Sequence, residues 1–122
     1  MKLHLGCGKR YLKGFKHVDL AKENHIDYST SIDNLNMFEN NSVEEIYCSH
    51  AFEYFDRDHA PLVLQEWYRT LVPGGKIYLV VPNFDSLLEI YKSTNSLSVL
   101  YSHNDKSNSS SNNSNKQSFI VL

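Results

Sequence analysis

The chain has 122 residues, of which 41% are hydrophobic and 21% charged, and its formal net charge is -2. These values are typical of one globular domain and exclude the strongly basic surface of a nucleic-acid-binding protein. No apolar run reaches transmembrane length, and no secretory signal precedes the first strand-like segment. Two cysteines, Cys7 and Cys48, are too few for a disulfide framework, which favours a cytoplasmic protein.

Short apolar segments predict five β-strands, the first of which alternates so that Leu3 and Leu5 share one face. The segment at 77–81 is almost continuously apolar, as in a strand covered on both faces of a parallel sheet. The predicted strands are residues 2–5, 16–20, 25–30, 43–49 and 76–82.

A helix is predicted between the fourth and fifth strands. Asp56 or Asp58 is placed to cap it, and Pro61 fits its first turn. Pro73-Gly74-Gly75 is expected to end it, and a second helix is expected to begin near Asp85. The first helix carries a predicted core-facing stripe of Leu64, Trp67, Tyr68 and Leu71. Strands that alternate with helices indicate an α/β domain.

The composition changes after this region. Residues 102–118 are mostly Ser and Asn, which bury too little apolar surface to offset the entropy of ordering. We therefore predict an ordered domain over 1–93 and a disordered tail over 94–122. The apolar residues 119–122 leave open a second interpretation, in which the end of the chain docks as an edge strand.

Gly6 and Gly8 follow the first strand in the sequence LHLGCG, and Asp19 ends the second strand. In a parallel sheet these residues meet at one edge, where bare backbone can approach a nucleotide and a carboxylate can accept ribose hydroxyls. A structural glycine turn is the alternative. A nicotinamide site is disfavoured, because Tyr11 stands where the third glycine of that fingerprint belongs and Asp19 follows too closely.

Three segments in order resemble the class I S-adenosylmethionine-dependent methyltransferases, in particular a small bacterial group with an LxLGCG motif. They are LHLGCGKRYLKGFKHVDL, NLNMFENNSVEEIYCSHAFEYF and EWYRTLVPGGKIYLVVPNF, within residues 2–91. The resemblance implies a Rossmann-like, three-layer α/β/α fold with a mostly parallel sheet in the order 3-2-1-4-5. About five strands are visible, short of the family's seven.

The resemblance also implies a site for S-adenosyl-L-methionine. Gly6, Cys7 and Gly8 would line its methionine and ribose portions. Asp19 would hold the ribose hydroxyls, and Leu20 would lie against the adenine.

Further along the chain, Asp33 would contact the adenine edge, and Ser49 and His50 would close the pocket near the methyl group. His4 stands where many relatives carry an acid or Asn that orients the methionine amine. Glu53 matches the acid of a His-x-x-Glu-His pattern, although a tyrosine follows it here.

The implied activity is methyl transfer to a small molecule, such as a sugar or a cell-surface precursor. His50 is the candidate general base, and the alternative is a strand-end histidine bonded to backbone. No Cys-x-x-Cys or His-x-x-x-His spacing favours a metal. Because only five strands are visible, a catalytically incomplete module that binds cofactor or a protein partner is the second hypothesis. No nucleic acid or membrane partner is expected.

Overall fold

The structure, a computed structural model, describes residues 1–81, 100–102 and 118–121. A seven-stranded sheet in the order β3-β2-β1-β4-β5-β7-β6 forms its centre. The strands are β1 Lys2–Leu5, β2 Lys16–Asp19, β3 Tyr28–Ser29, β4 Val43–Ser49, β5 Leu71–Val81, β6 Leu100–Ser102 and β7 Ser118–Val121. A short 3-10 helix, Phe52–Tyr54, and helix α1, Ala60–Thr70, connect β4 to β5.

Strands β1 to β5 run parallel, which confirms the Rossmann-like α/β class and the predicted order 3-2-1-4-5. The prediction that the sheet stops short of seven strands is wrong. β7 pairs antiparallel with β5, and β6 pairs antiparallel with β7. This pairing satisfies the backbone N–H and C=O groups on the side of β5 that faces away from β4. On an unpaired edge strand, such groups would be open to pairing with other chains.

Both added strands fall within 94–122, the segment predicted to be a disordered tail. The chain between them lies outside the described residues, as does the helix predicted near Asp85, and the division at residue 93 stays a prediction. The alternative in which 119–122 docks on the sheet agrees with β7, although β7 lies between β5 and β6 and is not an edge strand.

Helix α1 has its proline in the first turn, as predicted. Asp56 lies three residues before His59, the residue that directly precedes the helix, and accepts hydrogen bonds from the start of the helix. Its Oδ1 accepts the His59 N–H at 2.7 Å, and its carbonyl accepts the Ala60 N–H at 2.9 Å. The assignment of Tyr68 to the core is wrong, since its side chain is 54% exposed. It follows Trp67 by one residue and so points about 100° away around the helix. The buried residues are Ala60, Val63, Leu64, Trp67 and Thr70.

Strand β5 begins at Leu71, five residues before the predicted start. The backbone of Leu71 pairs with Val43 immediately after the helix, and the register then shifts before Lys76 pairs with Glu45. Gly74 lies in this irregular stretch with a φ of 80°, which glycine adopts readily. The Pro-Gly-Gly sequence therefore shapes a bulge within the strand and does not act as a turn before it.

Helix α1 packs on one face of the sheet and fixes the loop that follows β3. The Trp67 indole N–H donates to the Ile32 carbonyl at 2.7 Å. The Arg69 guanidinium donates to the carbonyls of Leu35 and Phe38, each at 3.0 Å. These bonds attach the 32–38 segment to α1, from Ile32, which borders the carboxyl ends of the strands, to Phe38, which lies near the start of β4.

On the opposite face, polar rings occupy register positions that are usually apolar. His4 pairs in register with His17 on β2 and with Tyr47 on β4, and the ring centroids lie 5.3 and 5.2 Å apart. Tyr11, in the loop after β1, stacks on His17 at 5.1 Å. In the ranges that the structure describes, no helix is both long and apolar enough to cross a membrane.

Candidate cofactor site

The loop after β1 brings bare backbone to the carboxyl edge of the sheet. Gly6 has a φ of 66° and Gly8 a φ of 55°, and the Gly6 N–H donates to the Val18 carbonyl at 2.9 Å. A Cβ placed on Gly6 would lie 2.6 Å from the Cβ of Ala51, closer than packed atoms approach. Glycine is therefore required at position 6 both by its conformation and by the space available.

Asp19 ties this loop to the end of β2. Its Oδ2 accepts the Gly8 N–H at 2.7 Å, and its Oδ1 accepts the Ala21 N–H at 2.8 Å. An ionised carboxylate has about four acceptor positions, so each oxygen can accept a further hydrogen bond. The carboxylate is thus held in place while it keeps acceptor capacity for a pair of hydroxyls.

A cavity of about 360 Å³ opens beside these groups, within the size range of small-molecule sites. Four of the predicted site residues border it together: Gly6, Asp19, Leu20 and His50. Leu20 is 66% exposed, so its apolar surface is open to a ligand. The lining is completed by Thr30, Ser31, Ile32, Ala51, Tyr54 and Phe55.

The other predicted residues are not part of this lining. Gly8 reaches the site through its bond to Asp19. Ser49 ends β4, half-buried and in register with Val80. Cys7 is buried with its Sγ 3.9 Å from Nε2 of His25, and burial raises the pKa of its thiol to about 11, so the thiol stays protonated near neutral pH.

Asp33 lies next to the cavity-lining Ile32, but its carboxylate has partners of its own. Its Oδ2 is 2.9 Å from Nε2 of His59, and hydrogen bonds from Ser31 and His59 hold the pKa of Asp33 below its usual value. The His59 ring in turn packs against the Phe55 ring, with ring centroids 5.4 Å apart. This hydrogen-bonded pair joins the loop after β3 to the start of α1 and so braces one wall of the cavity.

His50 has a left-handed backbone, with a φ of 55°, which is uncommon for a residue other than glycine. Its N–H donates to the Val80 carbonyl at 2.9 Å, which fixes it beyond the end of β4. Its Nδ1 lies 4.0 Å from Oε1 of Glu53. Non-glycine residues in such conformations cluster at functional sites, and this one borders the cavity.

His4 is 2% exposed, and its Nδ1 has no hydrogen-bond partner. Burial, with the nearby His17, Arg10 and His25, lowers the pKa of His4 to about 4, while Asp19 opposes this shift. The imidazole is therefore neutral near pH 7, and one of its nitrogens is left without a partner. A buried polar group of this kind suits a ligand that supplies the missing hydrogen bond.

The state of His4 predicts a pH-dependent stability. An unfolded chain protonates this imidazole near pH 6.5, whereas the folded chain keeps it neutral down to about pH 4. Between these values the unfolded state binds more protons, so we expect the free energy of unfolding to fall by about 2 kcal/mol from pH 6.5 to pH 4.5. The measurement is urea denaturation across this range for the wild-type chain and for His4→Phe.

The His4→Phe chain should show a flatter profile over this range. Three carboxylates with lowered pKa values affect stability at lower pH: Asp27, Asp33 and Glu66. They stabilise the fold above their ordinary pKa values of 3.8 and 4.5, and this stabilisation is lost as the pH falls further. An equally steep loss between pH 6.5 and pH 4.5 in His4→Phe would show that another group causes it.

Sequence reasoning missed much of the cavity wall. The signal for Ala51 was its position just after His50, and His59 was not singled out from the sequence. Tyr54 and Phe55 lie on an irregular segment whose side-chain directions no simple periodicity predicts. Among the described residues, no group of three or more His, Cys, Asp or Glu is arranged to hold a metal ion.

The geometry fits S-adenosyl-L-methionine. The bare backbone at Gly6 admits a ligand where a Cβ would collide, and Asp19 presents a fixed carboxylate as a ribose acceptor. His4 is not among the residues that line the cavity, and its contact with the methionine amine stays a prediction.

The comparisons with known proteins agree with this fit. Residues 3–79 match the family of methyltransferase domains. The chain is similar in structure to a protein from Methanococcus maripaludis assigned as an S-adenosyl-L-methionine-dependent methyltransferase, with 12% identity and a TM-score of 0.71 over 99% of this chain and 75% of that one. No curated protein matches the chain.

Two other solved structures share the fold. A SAM-dependent methyltransferase from Archaeoglobus fulgidus has 14% identity and a TM-score of 0.69, with 98% of this chain and 84% of that one covered. The N-methyltransferase NodS from Bradyrhizobium japonicum, solved with S-adenosyl-L-homocysteine, has 12% identity and a TM-score of 0.64 over 98% and 74% of the two chains. The chain belongs to the methyltransferase domain family, with the class I methyltransferase fold and S-adenosyl-L-methionine as its cofactor.

Proposed function

We propose that the protein transfers the methyl group of S-adenosyl-L-methionine to a small molecule, of which a sugar or a cell-surface precursor is the class we favour. The observation that carries this proposal is the meeting of Gly6, Asp19 and His50 at one cavity. When bound, the cofactor supplies a methyl group on a sulfonium sulfur that leaves with the bonding electron pair. The residues of the chain then bind the cofactor, align the acceptor and remove its proton.

In this proposal the methionine and ribose portions lie along Gly6, Cys7 and Gly8, and Asp19 accepts the ribose hydroxyls. The adenine packs on the exposed side chain of Leu20. This assignment is supported by the close approach that Gly6 permits and by the two N–H bonds that fix Asp19.

At the adenine edge we assign Asp33 a role through its neighbour. Its pair with His59 fixes the position of Ile32, which lines the cavity. His4 receives the methionine amine on its unpartnered nitrogen, a weaker bond than the carboxylate of many relatives would make. Ser49 lies beside His50 at the methyl-bearing end.

We assign His50 as the general base that takes the proton of the acceptor. An imidazole can do so near neutral pH, and this residue borders the cavity from a strained backbone position. We also propose a cytoplasmic location, since both cysteines are free thiols and a reducing compartment keeps them so.

The second hypothesis, a catalytically incomplete module that binds cofactor or a protein partner, lacks the observation that motivated it. It arose from an expected sheet of five strands, whereas the described residues form a sheet of seven. We therefore favour the enzyme.

The test is turnover. The purified protein is incubated with S-adenosyl-L-methionine and a panel of nucleotide sugars, sugar phosphates and small phenols, and mass spectrometry follows both S-adenosyl-L-homocysteine and methylated products. We expect both to accumulate together with at least one acceptor, and His50→Gln to slow the reaction by about 100-fold. Cofactor binding without turnover on any acceptor class would instead favour the binding module.

A further inference from the structure

We propose that Glu53 is a positioning residue for His50: its carboxylate holds the His50 imidazole in the tautomer that can act as a base. This inference rests on the proposed function, because it assigns a partner to the same catalytic group. The carrying observation is that Nδ1 of His50, a residue that borders the cavity, lies 4.0 Å from Oε1 of Glu53. Both side chains are partly exposed, at 38% and 30%.

The backbone fixes both members of the pair. His50 is held by its hydrogen bond to Val80. Glu53 lies in the 3-10 helix Phe52–Tyr54, whose buried Phe52 packs against Trp67 with ring centroids 5.5 Å apart. Glu53 is therefore anchored through the core beneath it, and its side chain needs only a small movement to reach Nδ1.

The distance of 4.0 Å is at the limit of an ion pair and longer than a hydrogen bond. Catalytic hydrogen bonds are often long in unliganded sites and shorten when ligands bind. Asp19 is an acid that borders the cavity, but the proposed function assigns its remaining acceptor positions to the ribose hydroxyls. In the part of the chain that the structure describes, Glu53 is thus an acid placed to direct the His50 ring.

The chemistry follows from the two nitrogens of the ring. A carboxylate that accepts a hydrogen bond from Nδ1–H leaves the lone pair on Nε2. When bound, the cofactor would supply the methyl group to the acceptor oxygen or nitrogen, and its sulfur would keep the electron pair of the broken methyl–sulfur bond. The acceptor proton passes to Nε2 of His50, and the resulting imidazolium is stabilised by the Glu53 carboxylate until it releases the proton to water.

The first test does not depend on turnover. Nitrogen NMR of the labelled imidazole, at a pH where the ring is neutral, reports which nitrogen carries the proton. We expect the His50 proton on Nδ1 in the wild-type protein, a partial loss of that tautomer in Glu53→Gln, whose amide oxygen can still accept, and a shift to Nε2 in Glu53→Ala. The matched control is Glu44→Gln, which removes the same charge from an exposed position on β4 and should leave the His50 signal unchanged.

The second test uses the reaction. In Glu53→Ala we expect turnover to fall by at least about tenfold while the KM for S-adenosyl-L-methionine changes by less than about twofold, with Glu53→Gln between the two. If the tautomer of His50 is the same in wild type and Glu53→Ala, the positioning role is overturned, whatever the activity. If no acceptor is methylated, the proposed function fails, and the NMR result still decides the pairing.

Discussion

Gly6→Ala will abolish the binding of S-adenosyl-L-methionine and destabilise the fold by about 2 to 5 kcal/mol. Two costs add at this position. Alanine resists a φ of 66°, and its Cβ would lie 2.6 Å from that of Ala51, so the loop after β1 must move. Because Gly6 also borders the cavity, that movement disrupts the backbone on which the cofactor is expected to lie. Thermal denaturation and isothermal titration calorimetry measure the two effects.

Two further variants separate strain from collision. Gly8 has a similar φ of 55°, but a Cβ there would meet nothing within 4 Å, so Gly8→Ala should cost only about 1 to 2 kcal/mol. Ala51→Gly removes the colliding atom, and the double variant Gly6→Ala/Ala51→Gly should recover the collision part, about 1 to 3 kcal/mol. Equal losses at Gly6 and Gly8, with no recovery in the double variant, would contradict the steric explanation.

Asp19→Ala is expected to weaken cofactor binding by more than tenfold, the scale of about one or two charged hydrogen bonds. It should also lower stability by about 1 to 3 kcal/mol, because the N–H groups of Gly8 and Ala21 lose their acceptor. Asp19→Asn keeps one oxygen acceptor, so its cofactor affinity and its stability should lie between those of the wild type and those of Asp19→Ala. Calorimetric titration of each variant with S-adenosyl-L-homocysteine provides the affinities.

Asp27→Ala is the matched control. Asp27 also accepts a backbone N–H, that of His17 at 2.8 Å, but it does not border the cavity. It should lose stability and keep cofactor affinity within about twofold of wild type. Unchanged affinity in Asp19→Ala would remove Asp19 from the ribose role, and an equal loss in Asp27→Ala would attribute the effect to general destabilisation.

The parallel half of the fold was predictable because its patterns are local. The alternation at Leu3 and Leu5 and the apolar run at 77–81 each identify a strand, and both strands are present. The added strands β6 and β7 were harder to predict. Each is no longer than four residues, and β7 finds its partner in β5, about 40 residues earlier in the chain, so that pairing depends on tertiary contacts.

The glycine side of the site was predictable for a different reason. Gly6 follows β1 and Asp19 ends the neighbouring parallel strand β2, and the carboxyl ends of such strands meet at one edge of the sheet whatever the loops do. The opposite wall of the cavity could not be predicted in this way. Tyr54 and Phe55 reach the cavity from an irregular connection, and the pairing of Asp33 with His59 joins residues 26 positions apart. Such contacts depend on how α1 packs, which the local sequence does not encode.

The most direct measurement is isothermal titration calorimetry of the folded wild-type chain with S-adenosyl-L-homocysteine. If the cavity bordered by Gly6, Asp19 and His50 holds the cofactor, one equivalent binds saturably, and Asp19→Ala binds more than tenfold more weakly. The absence of saturable binding by the folded wild-type protein at high concentration would contradict the assignment of this cavity as the cofactor site.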